Sequence, residues 1–170
     1  MKKFLSIVLL LIIAICVYAQ RGNARKGYRG YVDFALGDAY NLNTAQTIST
    51  NNMQLYSMVS TSHGFVINNW FVGVGLGYYH SFRDIENIYP FFVTGRYTFE
   101  RVNIKPYIDV RVGIMYDTYW IEKIQKYGAM SVGINVYKRM QVGLRGSLFS
   151  RPSRYFTANA AIVLSYAIGK

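Results

Sequence analysis

The sequence predicts an all-β fold, an eight-stranded antiparallel up-and-down transmembrane β-barrel, on three observations. Apolar and polar residues alternate with period two through segment after segment. The links between these segments fall by turns into short ones and longer ones. Beyond Gln20 no stretch carries a long helical pattern or the ~18 unbroken apolar residues of a membrane helix. With 170 residues there is room for one domain. The 16 Tyr against 3 Pro suit sheet and interfaces.

The first segment is set apart from the barrel. Lys2 and Lys3 precede an apolar run over 4–16, and Val17-Tyr18-Ala19 supplies a cleavage site before Gln20. This is the pattern of a secretory signal peptide over 1–19, with the barrel domain over 20–170. The apolar run is shorter than the ~20 residues needed to span a bilayer as a helix. Cys16 is the only cysteine and lies inside this segment, so the exported chain has neither a disulfide framework nor a cysteine metal site.

The strands follow in order. Val32, Phe34 and Leu36 interleave with Tyr31, Asp33 and Ala35, which places the first strand over 27–37. The segment 53–67 alternates poorly, but it ends at the Asn68-Asn69 turn signal and leads directly into the strand 70–81, "WFVGVGLGYYHS". Phe91, Val93, Tyr97 and Phe99 alternate with Thr94, Arg96 and Thr98 over 89–100. Ile108, Val110, Val112 and Ile114 alternate with Asp109, Arg111 and Gly113 over 103–117. Met130, Val132 and Ile134 mark 126–137, Met140, Val142 and Leu144 mark 139–149, and Ala158 to Ile168 on even positions mark 155–168.

The connections alternate in length. Asn68-Asn69, 100–103 and Lys138 are short, whereas 38–52, 81–88, 118–125 and 150–154 are longer, the two-sided arrangement of an outer-membrane barrel. An even strand number returns both termini to the short-turn side. Pro90, Pro106 and Pro152 fall at strand starts or in a loop, where a missing N–H is tolerated.

The charges decide which phase faces outward. Arg29, Asp33, Arg96, Asp109, Arg111 and Arg145 all occupy the polar phase of their strands. A charge on the lipid face costs ~2–4 kcal/mol at the midplane, so the charged phase fills the lumen and the aliphatic phase meets lipid. A soluble exported binding barrel would have apolar residues inward, the reverse of this pattern. Gly73, Gly75 and Gly77 share the lumen phase of the third strand, and there they make room for long guanidinium side chains from other strands. A phosphate-binding reading of this Gly-x-Gly-x-Gly needs a helix after the strand, and none follows.

The remaining charge is unevenly placed. Arg21, Arg25, Lys26, Arg101, Lys105, Lys138, Arg139 and Lys170 gather at the short-turn end against Glu100 alone, while the loop end balances acids and bases. The formal charge of +11 thus points to anionic phospholipid heads or peptidoglycan. Nucleic acid is excluded as a partner, because clustered basic and aromatic surface on a soluble module is missing. Trp70, Phe99 and Tyr137 on the turn side and Tyr78, Tyr116, Tyr119 and Trp120 on the loop side form aromatic girdles.

The segments "GYRGYVDFALG", "STSHGFVINNWFVGVGLGYY", "YPFFVTGRYTF", "IKPYIDVRVG" and "MSVGINV" resemble the small eight-stranded outer-membrane β-barrel proteins of Gram-negative bacteria, of the OmpA/OmpX type. The resemblance covers nearly the whole chain after the signal segment. It implies an outer-membrane location, contact with outer-membrane lipids including lipopolysaccharide, and insertion by the barrel-assembly machinery. Such chains often end in an aromatic residue, whereas here Tyr166 is followed by Ala-Ile-Gly-Lys. Function is poorly defined across that family, so the resemblance carries over no catalytic residue.

Enzymatic chemistry is not expected from the residues. The only histidines are His63 beside Ser62 and His80 beside Ser81, with Asp84 or Glu86 as a third group near His80. Adjacent strand residues point to opposite faces, so neither pair is set for proton transfer. Two histidines this far apart have no metal-ligand spacing, and no cofactor is implied. The expected function is a structural or surface-interaction barrel with an occluded polar lumen, meeting ligands through 38–52, 81–88 and 118–125. The alternatives are a narrow porin-like channel and, less favoured, the soluble exported barrel.

Overall fold

In hydrocarbon each peptide N–H and C=O must find its partner within the protein, which leaves a sheet only one solution, closure on itself. The computed structural model, which describes residues 26–42, 53–82, 87–99, 104–118, 124–151 and 155–169, shows that closure. Eight antiparallel strands follow in chain order: β1 Lys26–Leu42, β2 Met53–Ile67, β3 Trp70–Ser81, β4 Asn87–Thr98, β5 Pro106–Asp117, β6 Ile124–Tyr137, β7 Met140–Arg151 and β8 Tyr155–Ile168. Each pairs with its neighbour, and β1 also pairs with β8 from Gly30–Ile168 to Leu42–Phe156. Among the described residues no helix is long and apolar enough to cross a membrane.

Three strands, β2, β3 and β8, run over the residues that the alternation marks, including the poorly alternating β2. The largest difference is β1, which continues five residues past Gly37 into the segment expected as loop. Gly37-Asp38 has turn composition, yet both residues pair on either side, Gly37 with Tyr56 and Ala161, Asp38 with Leu55 and Ala160. Gly37 is needed because a Cβ there would run into the Ala160 carbonyl oxygen and the Ala161 backbone. β4 and β6 each begin two residues earlier than their patterns indicate, β7 extends to Arg151, and β5 begins only at Pro106. The loops expected at 38–52, 81–88 and 118–125 are shortened accordingly. Their middles, the segment 1–19, Tyr119, Trp120, Asp84 and Glu86 lie outside the described residues.

Pro90 falls inside β4 rather than at its start. The β3–β4 ladder is interrupted between Leu76–Phe91 and Tyr79–Ile88, where Pro90 has no N–H to donate, and Pro90 keeps its pairing with Met115 on β5. At the short turns, Asn68 takes a positive φ of 56°, a conformation asparagine tolerates better than most residues. The β6–β7 turn is Lys138-Arg139, and the register shifts between Asn135 and Tyr137, a bulge.

The wall is inverted relative to a soluble protein. Large apolar side chains cover the outside, with Val74, Val112 and Leu144 more than 60% exposed, while Asp33, Arg96, Asp109, Arg111 and Arg145 are at most 2% exposed inside. Trp70, Tyr97 and Phe99 form a turn-side girdle, with Trp70 tilted against Tyr97 at 4.9 Å between ring centres and Phe99 meeting Tyr97 edge-on at 4.8 Å. Tyr78, Tyr89 and Tyr116 face outward near the loop side. An apolar belt between aromatic rims is the outer surface of a transmembrane barrel.

The lumen holds more than charge. Its loop half is packed by Tyr56, Met58, Tyr79, Ile88, Met115, Tyr127 and Phe149, all buried. Tyr56 stacks on Tyr79 at 4.8 Å, and Phe149 meets Tyr79 edge-on at 6.0 Å. These residues sit in the polar phase of their strands, where the sequence pattern foresees charges and glycines.

The role expected for the glycines is corrected in one respect. A Cβ at Gly75 would lie 2.5 Å from the Phe92 ring and 2.7 Å from the Thr61 carbonyl oxygen; one at Gly73 would lie 2.5 Å from the His63 carbonyl oxygen and 2.8 Å from the Phe71 ring. At Gly77 the neighbours are Val59, Ser60 and Pro90. The space over the glycines is therefore taken by aromatic rings and neighbouring backbone, and the guanidinium of Arg111 lies one layer further in, 4.7 Å above the Phe92 ring. A Gly75→Leu substitution overpacks this layer by more than the 1–3 kcal/mol typical of about one or two added methylenes. The variant is expected to lose heat-modifiable migration in gel electrophoresis; migration like that of the unaltered protein would refute the steric role.

Candidate functional site

Alternation delivers charged side chains from four strands to one level of the lumen: Asp33 from β1, Arg96 from β4, Asp109 and Arg111 from β5, and Arg145 from β7. Arg111 pairs with Asp33 and donates from Nε to Asp109 Oδ2 at 2.8 Å. Arg145 Nη2 donates to Asp33 Oδ2 at 3.0 Å, and Arg96 Nη2 donates to Asp109 Oδ2 at 3.4 Å, with Asp33 Oδ1 at 3.8 Å. Each carboxylate is thus shared by at least two guanidinium groups.

Neutral donors and acceptors complete the layer. Thr94 donates to Asp109 Oδ1 at 2.6 Å, and Arg96 Nη1 donates to Gln141 Oε1 at 2.6 Å. Arg111 Nη1 donates to Ser60 at 3.1 Å, and Arg145 Nε donates to Ser131 at 2.9 Å. The guanidinium of Arg96 lies over Tyr31 at 3.9 Å and over Tyr107 at 4.7 Å. The planar fork of arginine suits this mixture of divided hydrogen bonds and stacked contacts.

Arg29 is not brought into this network. It is half-buried at the turn end, and among the described residues it makes no ion pair. It lines a cavity of about 410 Å³ there, together with Lys105, Lys138, Asn135 and Gln141. The basic excess read from the sequence therefore reaches into the mouth of the barrel.

Neither histidine meets the serine beside it. Ser62 and Ser81 are buried in the lumen, whereas His63 is on the outer face. His80 donates from Nδ1 to Asn87 Oδ1 at 3.0 Å, an acceptor shared with the Tyr78 hydroxyl at 2.6 Å. His63 instead bonds along its own face of the sheet, to Thr61 Oγ1 from Nε2 at 2.9 Å and to the Tyr28 hydroxyl at Nδ1. A search for hydroxyls adjacent to a histidine misses Thr61. The signal that finds it is the strand period, which puts positions i and i−2 on one face.

The comparisons bear on this architecture. No family model and no curated protein matches the chain. Among solved structures, Neisserial surface protein A aligns at a TM-score of 0.57 and 14% identity, over 82% of this chain and 96% of that one. The outer membrane enzyme PagL aligns at a TM-score of 0.62 and 12% identity, over 80% of this chain and 98% of that one. The chain has the fold of the small outer-membrane β-barrels. At these identities the likeness extends to the fold alone. It nevertheless corrects the expectation that the chain is not an enzyme, because a barrel of this same architecture is an outer membrane enzyme. The opposed Ser–His neighbours are therefore no ground for excluding catalysis in the barrel.

The charge layer makes its own prediction. Asp33→Asn leaves Arg96, Arg111 and Arg145 with one carboxylate among them, and breaking a buried pair in this way costs about 3–5 kcal/mol. Arg29→Gln, outside the layer, is expected to change stability by less than ~0.5 kcal/mol. Urea unfolding in lipid vesicles, followed by tryptophan fluorescence, distinguishes the two; equal effects would show that the network does not hold the barrel.

Proposed function

We propose that the protein is an integral outer-membrane barrel with an occluded lumen, whose rigid wall presents its loop-end segments to surface partners. The observation that carries this reading is the double filling of the lumen. The arginine–aspartate layer crosses the barrel at mid-height, and the aromatic cluster around Tyr56, Tyr79 and Phe149 packs the loop half above it. An eight-stranded barrel encloses only enough space for such side chains. Export through the 1–19 segment, insertion by the barrel-assembly machinery, and contact of the loops with lipopolysaccharide belong to the same proposal. The apolar belt and the two aromatic rims support the membrane setting.

One observation favours a second reading, a narrow channel selective for anions. The turn-end cavity of about 410 Å³ is lined by three cationic side chains, Arg29, Lys105 and Lys138. The two readings part in planar bilayers. The occluded barrel gives no stable unitary openings, whereas Tyr79→Ala/Phe149→Ala, which empties part of the loop-half cluster, raises the frequency of brief openings. Stable anion-selective steps from the unaltered protein would replace the first reading with the second.

A further inference from the structure

Positive charge gathers at the turn-end mouth of the lumen without a described counter-charge. Arg29 from β1, Lys105 just ahead of β5 and Lys138 from the β6–β7 turn line one cavity of about 410 Å³, and among the described residues no carboxylate lines it. Asp33, four residues from Arg29 on β1, is already shared by Arg96, Arg111 and Arg145. That layer itself sets three arginines against two aspartates, which leaves one positive charge in excess behind the cavity.

The cavity is joined to the layer by direct contacts. The Arg96 guanidinium lies 3.9 Å from the ring centre of Tyr31, which with Phe71 lines the cavity and is buried. Arg96 Nη1 also donates to Gln141, whose Nε2 donates at 2.7 Å to Asn135, and Asn135 Nδ2 donates at 2.6 Å to the Lys105 carbonyl oxygen. This line of hydrogen bonds fixes the turn that carries Lys105. Both lysines hold a positive φ, 39° at Lys105 and 37° at Lys138, in the left-handed region that asparagine and glycine enter more readily. Turn formation alone therefore does not account for lysine at either position.

A concave site lined by one sign of charge, with low-dielectric walls, focuses its field on a counter-ion. The shape of the cations narrows the choice of anion. A guanidinium fork takes two oxygens of one acid group, and a carboxylate has only two, so both ammonium groups would be left without an acceptor. A phosphate monoester has three terminal oxygens and a charge of about −1.5 to −2 at pH 7, which suits a fork and two ammonium groups together.

We propose that the turn-end cavity binds one phosphate group, inorganic or in a monoester, with two oxygens on the Arg29 fork and the third between Lys105 and Lys138. The anion enters the mouth and stops at Tyr31 and Phe71. The site is independent of whether the lumen conducts.

The test titrates inorganic phosphate into the barrel folded in maltoside micelles, which carry no phosphate, at fixed ionic strength in a calorimeter. One phosphate is expected to bind per barrel, with acetate much weaker. Arg29→Gln should weaken binding about tenfold or more, the worth of a charge-assisted hydrogen bond, and Arg29→Lys, which keeps the charge without the fork, should restore it only in part. Arg139→Gln, beside Lys138 but outside the cavity lining, should change affinity by less than about threefold. Heat-modifiable migration checks that every variant is folded. No saturable binding, equal binding of acetate, or an equal loss in Arg29→Gln and Arg139→Gln would overturn the proposal. Two competitors then identify the source of the phosphate. Displacement by phosphatidic acid alone supports the site as one for a lipid headgroup of the turn-side leaflet, and displacement by glycerol phosphate supports it as one for a soluble monoester. Because micelles leave conduction aside, failure here does not touch the choice between an occluded and a conducting barrel.

Discussion

Closure of the sheet between β1 and β8 is the constraint on which everything else here depends. An open edge in hydrocarbon would leave a row of peptide groups without partners, each at a cost of several kcal/mol. Closing the seam requires β1 to be long enough to serve two neighbours whose ladders are offset along it. That is why β1 runs to Leu42 through the turn-like Gly37-Asp38. Once the seam is closed, the pleat assigns every residue to lipid or lumen, and a slip of one residue would exchange the two faces everywhere.

The charge layer guards against such a slip. Asp33 on β1 reaches Arg96, Arg111 and Arg145 on three other strands, so it is satisfied only when all four strands are in register. Buried ion pairs seldom add much net stability, since desolvation cancels most of the attraction, but they penalise wrong registers heavily. The aromatic cluster above is the less selective partner of this layer. It fills volume at the loop half, while the glycines of β3 leave just the room that Phe92 and Phe71 occupy.

The outer wall carries departures of its own from the apolar pattern. Most of it is a plain apolar surface, and shared architecture with Neisserial surface protein A and PagL follows from that surface and the closed sheet together. The polar cluster at His63 is different in kind, because neither closure nor lumen packing requires it. A membrane wall accommodates such a cluster only when its polar atoms are partnered, and two of those partners are a phenol and a hydroxyl held on the same face by the strand period.

Period-two alternation is a local property, so strand number, order, sidedness and the inward placement of Asp33, Arg96, Asp109, Arg111 and Arg145 were all legible in the sequence by itself. Apart from Asp109 and Arg111, two residues apart on β5, the pairing of those charges was not, because the partners stand on different strands, Asp33 and Arg145 among them, and only the barrel's shear brings them to one level. The same is true of Arg29, which shares their phase but stands below their layer, and of Phe92, whose ring takes the space over Gly75. Thr61 and His63 could be placed on one face from spacing alone, but Tyr28 and the opposing Gly30 meet them only through the β1–β2 register. Alternation along a strand settles which way a side chain points; what it meets there is settled by closure, which acts across strands and leaves no local trace.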